Sequence, residues 1–389
     1  MQEPIATPAL SPASYAIRGL QDVLTPVLAV YSEFVENNIQ VTLRLLGGDG
    51  DRWRPHVKTA KLGCIMQQLV ASGVTNFKCA TTLELRTACR AGARDVLVAY
   101  PLQGANALRV REIAAEFSRA RVSVLVDSAA SVAQWSGSGV GIFVDVNPGM
   151  DRTGIASGDH VELQKVMDAV LQARLEFRGI HYYDGHLRQA DLRERTAAAH
   201  RGYDELLELA ASLEKSGTPV REIVTSGTPT LPCALSYARF RGGRFEHRVS
   251  PGTVVYGDAS SIELLPGEYG YRQAVLVVSR VVSHPAPGIL TADAGHKAVS
   301  ADAGVPTCAV LGWPELVPRS PSEEHLPIKV PAGALKPAVG EFLYLLPRHV
   351  CPTVNNFDEA LIVAKGGITR IERVTARGRE TPLLAAVAR

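Results

Sequence analysis

Residues 76–99 read NFKCATTLELRTACRAGARDVLVA. A short β-rich run, Asn76–Cys79, gives way to apolar residues at helical spacing from Leu83 to Ala91, then to Gly92 and a second extended run, Asp95–Ala99. Two extended runs joined by one helix spell a parallel crossover, because parallel neighbours need a connection long enough to return along the sheet. The same rhythm continues on both sides. Candidate strands lie at Pro26–Val30, Arg54–Lys58, Asn76–Cys79, Asp95–Ala99, Val122–Val126, Gly141–Val146, Glu176–Tyr182 and Glu222–Thr225, with helical stretches such as Leu62–Ser72, Ala105–Phe117, Leu163–Ala173 and Leu192–Lys215 between them. This pattern fits a (β/α)8 barrel better than an open sheet.

After Gly257 the texture changes. QAVLVVSRVVSH (273–284), GILTADAGH (288–296), EFLYLLP (341–347) and EALIVAKGGITRIERV (359–374) are strand-like and separated by Pro- and Gly-rich turns. The fold class expected is therefore α/β, a barrel over residues 24–260 followed by a mostly β domain over 261–389. The Pro-rich residues 1–23 either pack with the second domain or hang loose, and LLAAVAR at 383–389 reads as a fraying end.

Composition narrows the function. The chain has 389 residues, 46% hydrophobic and 21% charged, which excludes a disordered or collagen-like whole. Its 41 Lys and Arg face 39 Asp and Glu, dispersed along the sequence, which argues against nucleic acid or a membrane surface as the main partner. No apolar stretch approaches the roughly 18–20 residues that span a bilayer, so a cytoplasmic protein is expected. Six cysteines without C-x-x-C spacing read as buried thiols, Cys351 excepted.

Chemistry-bearing residues fall at the expected strand ends. In RWRPHVKTAK, Lys58 ends the second strand; a lysine there can form a Schiff base if other cations hold it reactive, and Arg54, His56 and Lys61 are the cations nearest in sequence. Taken alone, the segment reads more readily as a surface lysine in a basic loop. VDVNPGMDRTGI contributes Asp145, Asp151 and Arg152, and GIHYYDGHLR contributes His181, Tyr182, Tyr183, Asp184 and His186. TSGTPT (225–230) and SPGTVVYGD (250–258) carry the small residues that let backbone N–H groups approach a phosphate. In PRHVCPTVNNFDE, His349 and Cys351 are two apart, which in an extended segment puts imidazole and thiolate on one face where they can share a divalent metal. Asp293, His296, Asp302, Glu324 and His325 are candidate supporting groups.

In order, TPVLAVYSEFVENNI, RPHVKTAK, FKCATTLEL, DVLVAYPLQG, DRTGI, YYDGH, TSGTPT, PGTVVYGD, DAGHKAVSAD, SEEH and PRHVCPTVN resemble the fold-type III pyridoxal-phosphate enzymes that include D-threonine aldolase and the eukaryotic-type D-serine dehydratases. The resemblance spans about residues 24–360 and implies an alanine-racemase-type barrel with the cofactor at its mouth. It implies a Schiff base on Lys58, contact with the cofactor ring oxygen from Arg152, a further cofactor contact from Tyr182, and phosphate binding by Ser226, Gly227, Thr228, Gly252 and Thr253. It also implies metal ligation by His349 and Cys351. Two departures stand out: H-x-C looks more like the dehydratases than the H-x-D of many aldolases, and KTAK replaces the more frequent K-T-H-K.

The expected cofactors are pyridoxal 5'-phosphate and a divalent metal, zinc or manganese, and the expected partner is a small D-amino acid, with a homodimer as the assembly. Retro-aldol cleavage of a D-3-hydroxy-amino acid is placed ahead of dehydration to a 2-oxo acid and ammonia, with His186 as catalytic base and Tyr182 or His325 as substitutes. A racemase or a non-catalytic cofactor-binding protein is the second alternative.

Overall fold

The computed structural model describes residue 5 and residues 10–382; the segment 383–389 lies outside the described residues. The chain divides into two compact units. Among the described residues, one comprises Leu43–Lys58, Met66–Gly252 and 378–382; the other comprises those through Thr42, Thr59–Ile65 and Thr253–Arg377.

Seventeen strands are formed among the described residues, and β1 (Val27–Tyr31) is the one that departs most from expectation. It runs antiparallel to β10 (Val275–Ala286) and parallel to β16 (Glu359–Ala364), inside the sheet of the second unit. Its four buried residues in a row are satisfied by any sheet covered on both faces, so periodicity alone could not assign it to the barrel.

The first unit is built on a parallel sheet in the order β2 (Asn76–Cys79), β3 (Asp95–Val98), β4 (Arg121–Val126), β5 (Gly141–Asn147), β7 (Phe177–Tyr182), β8 (Glu222–Thr225) and β9 (Glu246–Val249), with the two-residue β6 (Ile155–Ala156) beside β5. Helices Thr82–Arg90, Ala105–Glu116, His160–Gln172 and Leu192–Lys215 connect the strands. Segment 53–58 bridges the two free edges: Trp53 pairs with Val249 on β9 and His56 with Lys78 on β2, both in parallel. It closes the sheet into a barrel as the eighth staff. β9, EHRV, escaped the sequence reading because it is short and charged.

The interior is layered. At the end where the strands begin, Arg54 is wholly buried and grips Glu222 through both carboxylate oxygens at 2.8 and 2.9 Å and Asp95 at 2.8 Å. Arg178 closes on the other oxygen of Asp95 and donates to Ser123 at 2.7 Å, and Arg248 adds to Glu222. Burial opposes ionisation of Asp95, but Arg54 and Arg178 outweigh it and hold its carboxyl well below the usual range. Above this ionic plane sits an apolar one, Leu97, Leu125, Phe143 and Val224, with both Arg54 and Arg178 against the Phe143 ring.

The second unit is a mixed sheet in which β10 is the hub, flanked by β1, β11 (Ile289–Ala292) and β15 (Phe342–Pro347). β12 (Cys308–Val310), β13 (Val317–Pro318) and β14 (Leu326–Lys329) extend it, and β17 (Gly367–Arg373) turns back on β16. Tyr15, Ile17 and Leu20 from the N-terminal segment join its core with Leu276, Val278 and Val363.

Replacing Arg54 by Met should take from each of two buried carboxylates one of the two arginines that hold it, and lower unfolding free energy by ~3–5 kcal/mol in urea titration; a change below about 1 kcal/mol would show that the network does not clamp the barrel. Because the folded value of Asp95 is depressed, its contribution is complete above about pH 4 and fades as pH falls further.

Candidate active site

Segment 53–58 positions Lys58. Val57 N–H donates to the Lys78 carbonyl (2.8 Å), Lys78 N–H to the Pro55 carbonyl (2.9 Å), and the Lys58 N–H donates to His56 Nδ1 (3.2 Å). Lys58 thereby stands half-buried at the end of the barrel where the strands finish, the face on which barrel enzymes build their sites. The cations expected around it are elsewhere engaged. Arg54 points to the opposite end with its carboxylates, and Lys61 Nζ donates to the Ala376 carbonyl in the second unit.

The cations that do gather with it are Lys78 and Arg152. Lys58 Nζ, Lys78 Nζ and the Arg152 guanidinium stand 5.9, 5.2 and 5.0 Å from the centre of one ring, that of Tyr183. Lys78 is a cation inside a four-residue strand whose positions are all buried, a burial that the sequence NFKC does not display. Beside it, His181 Nε2 is 3.4 Å from Lys78 Nζ and His181 Nδ1 is 2.7 Å from Asp145 Oδ1, while Thr153 donates to the other Asp145 oxygen. Burial and Lys78 keep His181 below its ordinary value, and Asp145 stays ionised against burial because His181 and Thr153 hydrogen bond to it.

Strand alternation separates neighbours here. His181 and Tyr183 face the barrel interior, whereas Tyr182 packs outward against Tyr203 and Gly202 of the long helix and does not join the group around Lys58. His186 lies exposed in the following loop and makes no hydrogen bond among the described residues. His325 is exposed in the second unit.

After β8 the loop 226–230 is shaped for an anion. Ser226 holds φ +65, a strained region for a residue with a Cβ. Gly227 N–H donates to Thr230 Oγ1, which donates to the buried Asp184, and Tyr203 donates to Asp184 as well, so the loop is anchored from behind. The Ser226 Oγ and Thr228 Oγ1 are buried and find no hydrogen-bond partner among the described residues. Buried hydroxyls left orphaned mark a missing acceptor, and a phosphate fits. Gly252 belongs to the same unit, and a Cβ there would collide with the His56 backbone, so only glycine allows the two segments to meet.

In the second unit His349 caps the helix Val350–Asn355, so Cys351 sits in a first helical turn and not in an extended segment; Pro352 is tolerated there because first-turn N–H groups have no partner to lose. The two side chains still meet. Asp302 Oδ2 is 2.7 Å from His349 Nδ1, leaving Nε2 for a metal, and the buried Asp258 accepts from Val350 N–H and fixes the turn. Thr59 Oγ1 and Thr253 Oγ1 lie 3.0 and 3.6 Å from Cys351 Sγ. Burial opposes protonation of His349, yet Cys351 and Asp302 raise it to about 9. No group of three or more His, Cys, Asp and Glu gathers for a metal among the described residues, so a metal here would take two protein ligands and leave positions for water or substrate. An imidazole with a carboxylate behind it and a thiol fit that use. Asp293 is occupied by Thr25 and Ser279, and Glu324 by Lys297.

Residues 32–260 match the family described as alanine racemase, N-terminal domain. The chain belongs to that family. Residues 274–363 match a putative serine dehydratase domain. It is 28% identical to a D-threonine aldolase of Arthrobacter sp., over 97% of this chain and 99% of that relative. It is 25% identical to a D-threo-3-hydroxyaspartate dehydratase of Delftia sp. (strain HT23), over 91% and 99%. The solved D-threonine aldolase from Filomicrobium marinum superposes with a TM-score of 0.84 at 28% identity, covering 95% of this chain and 99% of that one. The fold is thus an alanine-racemase-type barrel with a mostly β second domain.

Loaded with pyridoxal phosphate and reduced with borohydride, the chain should carry the cofactor on the Lys58 peptide, and K58A should carry none. Filling the cradle gives its orphaned hydroxyls an acceptor, so T228A should weaken cofactor binding ~10–100-fold in equilibrium dialysis; unchanged affinity would remove Thr228 from the cradle.

Proposed function

We propose that the chain is a pyridoxal-phosphate- and divalent-metal-dependent lyase that cleaves D-3-hydroxy-amino acids to glycine and an aldehyde. The observation that carries this reading is an end-to-end match to a D-threonine aldolase in a chain whose barrel end holds a lysine, an arginine and two orphaned hydroxyls, and whose second unit holds a His–Cys pair. Lys58 would hold the cofactor, Arg152 would answer its ring oxygen, and Ser226, Gly227, Thr228 and Gly252 would hold its phosphate. Thr253 Oγ1 also lies 3.6 Å from Cys351 Sγ. When bound, the cofactor supplies the electron sink for the Cα–Cβ bond. His349 and Cys351 are the residues to hold a divalent ion, whose Lewis acidity would act on the substrate hydroxyl; a thiolate favours zinc, with manganese as the alternative.

The chain's own groups then have defined tasks. His186, free in its loop, takes the β-hydroxyl proton as the Cα–Cβ bond breaks and the Cβ carbonyl forms. The cationic ring around Tyr183 orients the anionic substrate. No helix among the described residues is long and apolar enough to cross a membrane, and we place the enzyme in the cytoplasm as a homodimer. The second reading, dehydration, is favoured by the H-x-C pair and by the match over residues 274–363. A racemase has no use for a metal pair beside Cβ.

Supplied in turn with D-threonine, D-serine and D-3-hydroxyaspartate, the holoenzyme should yield glycine and the matching aldehyde from substrates bearing a cleavable Cα–Cβ bond; a 2-oxo acid and ammonia without glycine would overturn the aldolase in favour of the dehydratase. Exhaustive chelation should abolish turnover and leave the cofactor bound. Full activity after chelation would contradict the metal assignment.

A further inference from the structure

The Cys351 sulfur has two hydroxyls beside it, Thr59 Oγ1 at 3.0 Å and Thr253 Oγ1 at 3.6 Å. We propose that these hydroxyls, Thr59 foremost, set the metal preference of the His349–Cys351 pair, narrowing the advantage of zinc over manganese by hydrogen bonding to the sulfur; this rests on the metal-dependent lyase reading above. Both threonines act through Cys351 and are positioning residues.

All the residues concerned lie in the second unit. Thr59 is wholly buried, and Cys351 Sγ is the partner its hydroxyl has among the described residues. A buried hydroxyl costs stability unless it is bonded, and valine would fill the same space without that demand. The segments that carry the threonines are tied together. The Thr253 carbonyl accepts from the Tyr256 and Gly257 N–H groups (3.1 and 2.7 Å), and the Tyr256 hydroxyl donates to the Ala60 carbonyl (2.7 Å). Asp258 accepts from Ser261 N–H (2.7 Å) and from Val350 N–H (3.0 Å), which holds the turn bearing Cys351. Sulfur and hydroxyls are thus fixed by separate bonds, and β-branching restricts each threonine side chain further.

The direction of the two bonds follows from charge. A cysteine that ligates a metal does so as thiolate, which has no proton to give and can only accept. Both hydroxyls must then donate to Sγ, in bonds strengthened by its charge. Each bond draws electron density from the sulfur and makes it a poorer soft donor. Zinc gains more than manganese from a soft thiolate, so zinc loses more. Removing the thiol proton costs the same whichever metal arrives and cancels in the ratio of the two affinities. On the other ligand, Asp302 lies 2.7 Å from His349 Nδ1 and adds negative charge behind the imidazole, which also suits a hard cation.

Competitive equilibrium dialysis of the full-length, cofactor-loaded chain against zinc and manganese tests this. T59V loses a bond that stabilises the thiolate, which weakens both metals, and leaves a softer sulfur, which returns part of the loss to zinc. Manganese affinity should therefore fall ~10–100-fold and zinc affinity by less, so that the zinc-to-manganese ratio rises. T253V, on the longer contact, should show the same split more weakly, and T59S, which keeps the hydroxyl, should restore the unsubstituted ratio. An equal loss for both metals in T59V and T253V would reduce the threonines to scaffolding and overturn the proposal. An unmoved ratio, or T59S behaving as T59V, would overturn it as well. Binding that needs His349 and Cys351 but ignores the threonines would overturn this proposal alone. A chain that binds neither metal, or binds them undiminished in H349A and C351A, would overturn it together with the metal assignment.

Discussion

The Arg54 guanidinium is the constraint on which the barrel depends. Segment 53–58 carries only one bridge to each neighbouring strand, too little to hold a staff in place by backbone pairing. The side chain supplies the rest, reaching Glu222 at the start of β8 and Asp95 at the start of β3, on strands that do not adjoin each other. Arg178 and Arg248 share the same two carboxylates. A buried charge network of this kind specifies a register, because a slip of one residue would leave carboxylates unpaired in the interior. Lys58 follows four residues after Arg54, so a clamp at one end of the barrel fixes the amine at the other. Ser250 and Trp53 add to it, with Ser250 donating to the Arg54 carbonyl and the Trp53 indole to the Pro251 carbonyl.

The two ends of the barrel differ in charge for a reason that bears on function. At the closed end the two carboxylates offset most of three arginines. At the other end Lys58, Lys78 and Arg152 face Asp145, whose oxygens are already taken by His181 and Thr153, and Asp184, held by Thr230 and Tyr203. The surplus is positive, and the Ser226–Thr228 loop brings donors with no acceptor. Such a site is incomplete until an anion arrives, as a phosphorylated cofactor and an amino-acid carboxylate would be.

Much of this was legible in the sequence, for identifiable reasons. Parallel strands separated by helices show their periodicity plainly, and Lys58, Arg152 and the Ser226–Thr228 loop stand at strand ends where a barrel must place them. The apolar run of β1 suits either sheet, so its periodicity does not assign it, and Glu246, His247 and Arg248 disguise β9, a strand whose arginine serves the ionic plane. Tyr182 was favoured over Tyr183 because the two adjoin, and only the strand pleat decides which faces inward. Arg54 and Lys78 look alike in sequence, cations in short strands. Their roles diverge because one meets carboxylates across the barrel and the other meets an imidazole.

The central claim is that this chain breaks the Cα–Cβ bond of a D-3-hydroxy-amino acid and returns a proton to Cα. Mass spectrometry of products from D-threonine turned over in D2O tests it most directly. Expected is glycine carrying one deuterium on Cα, with an equimolar aldehyde. Deuterated 2-oxobutyrate with no glycine, or recovery of threonine deuterated at Cα alone, would contradict it.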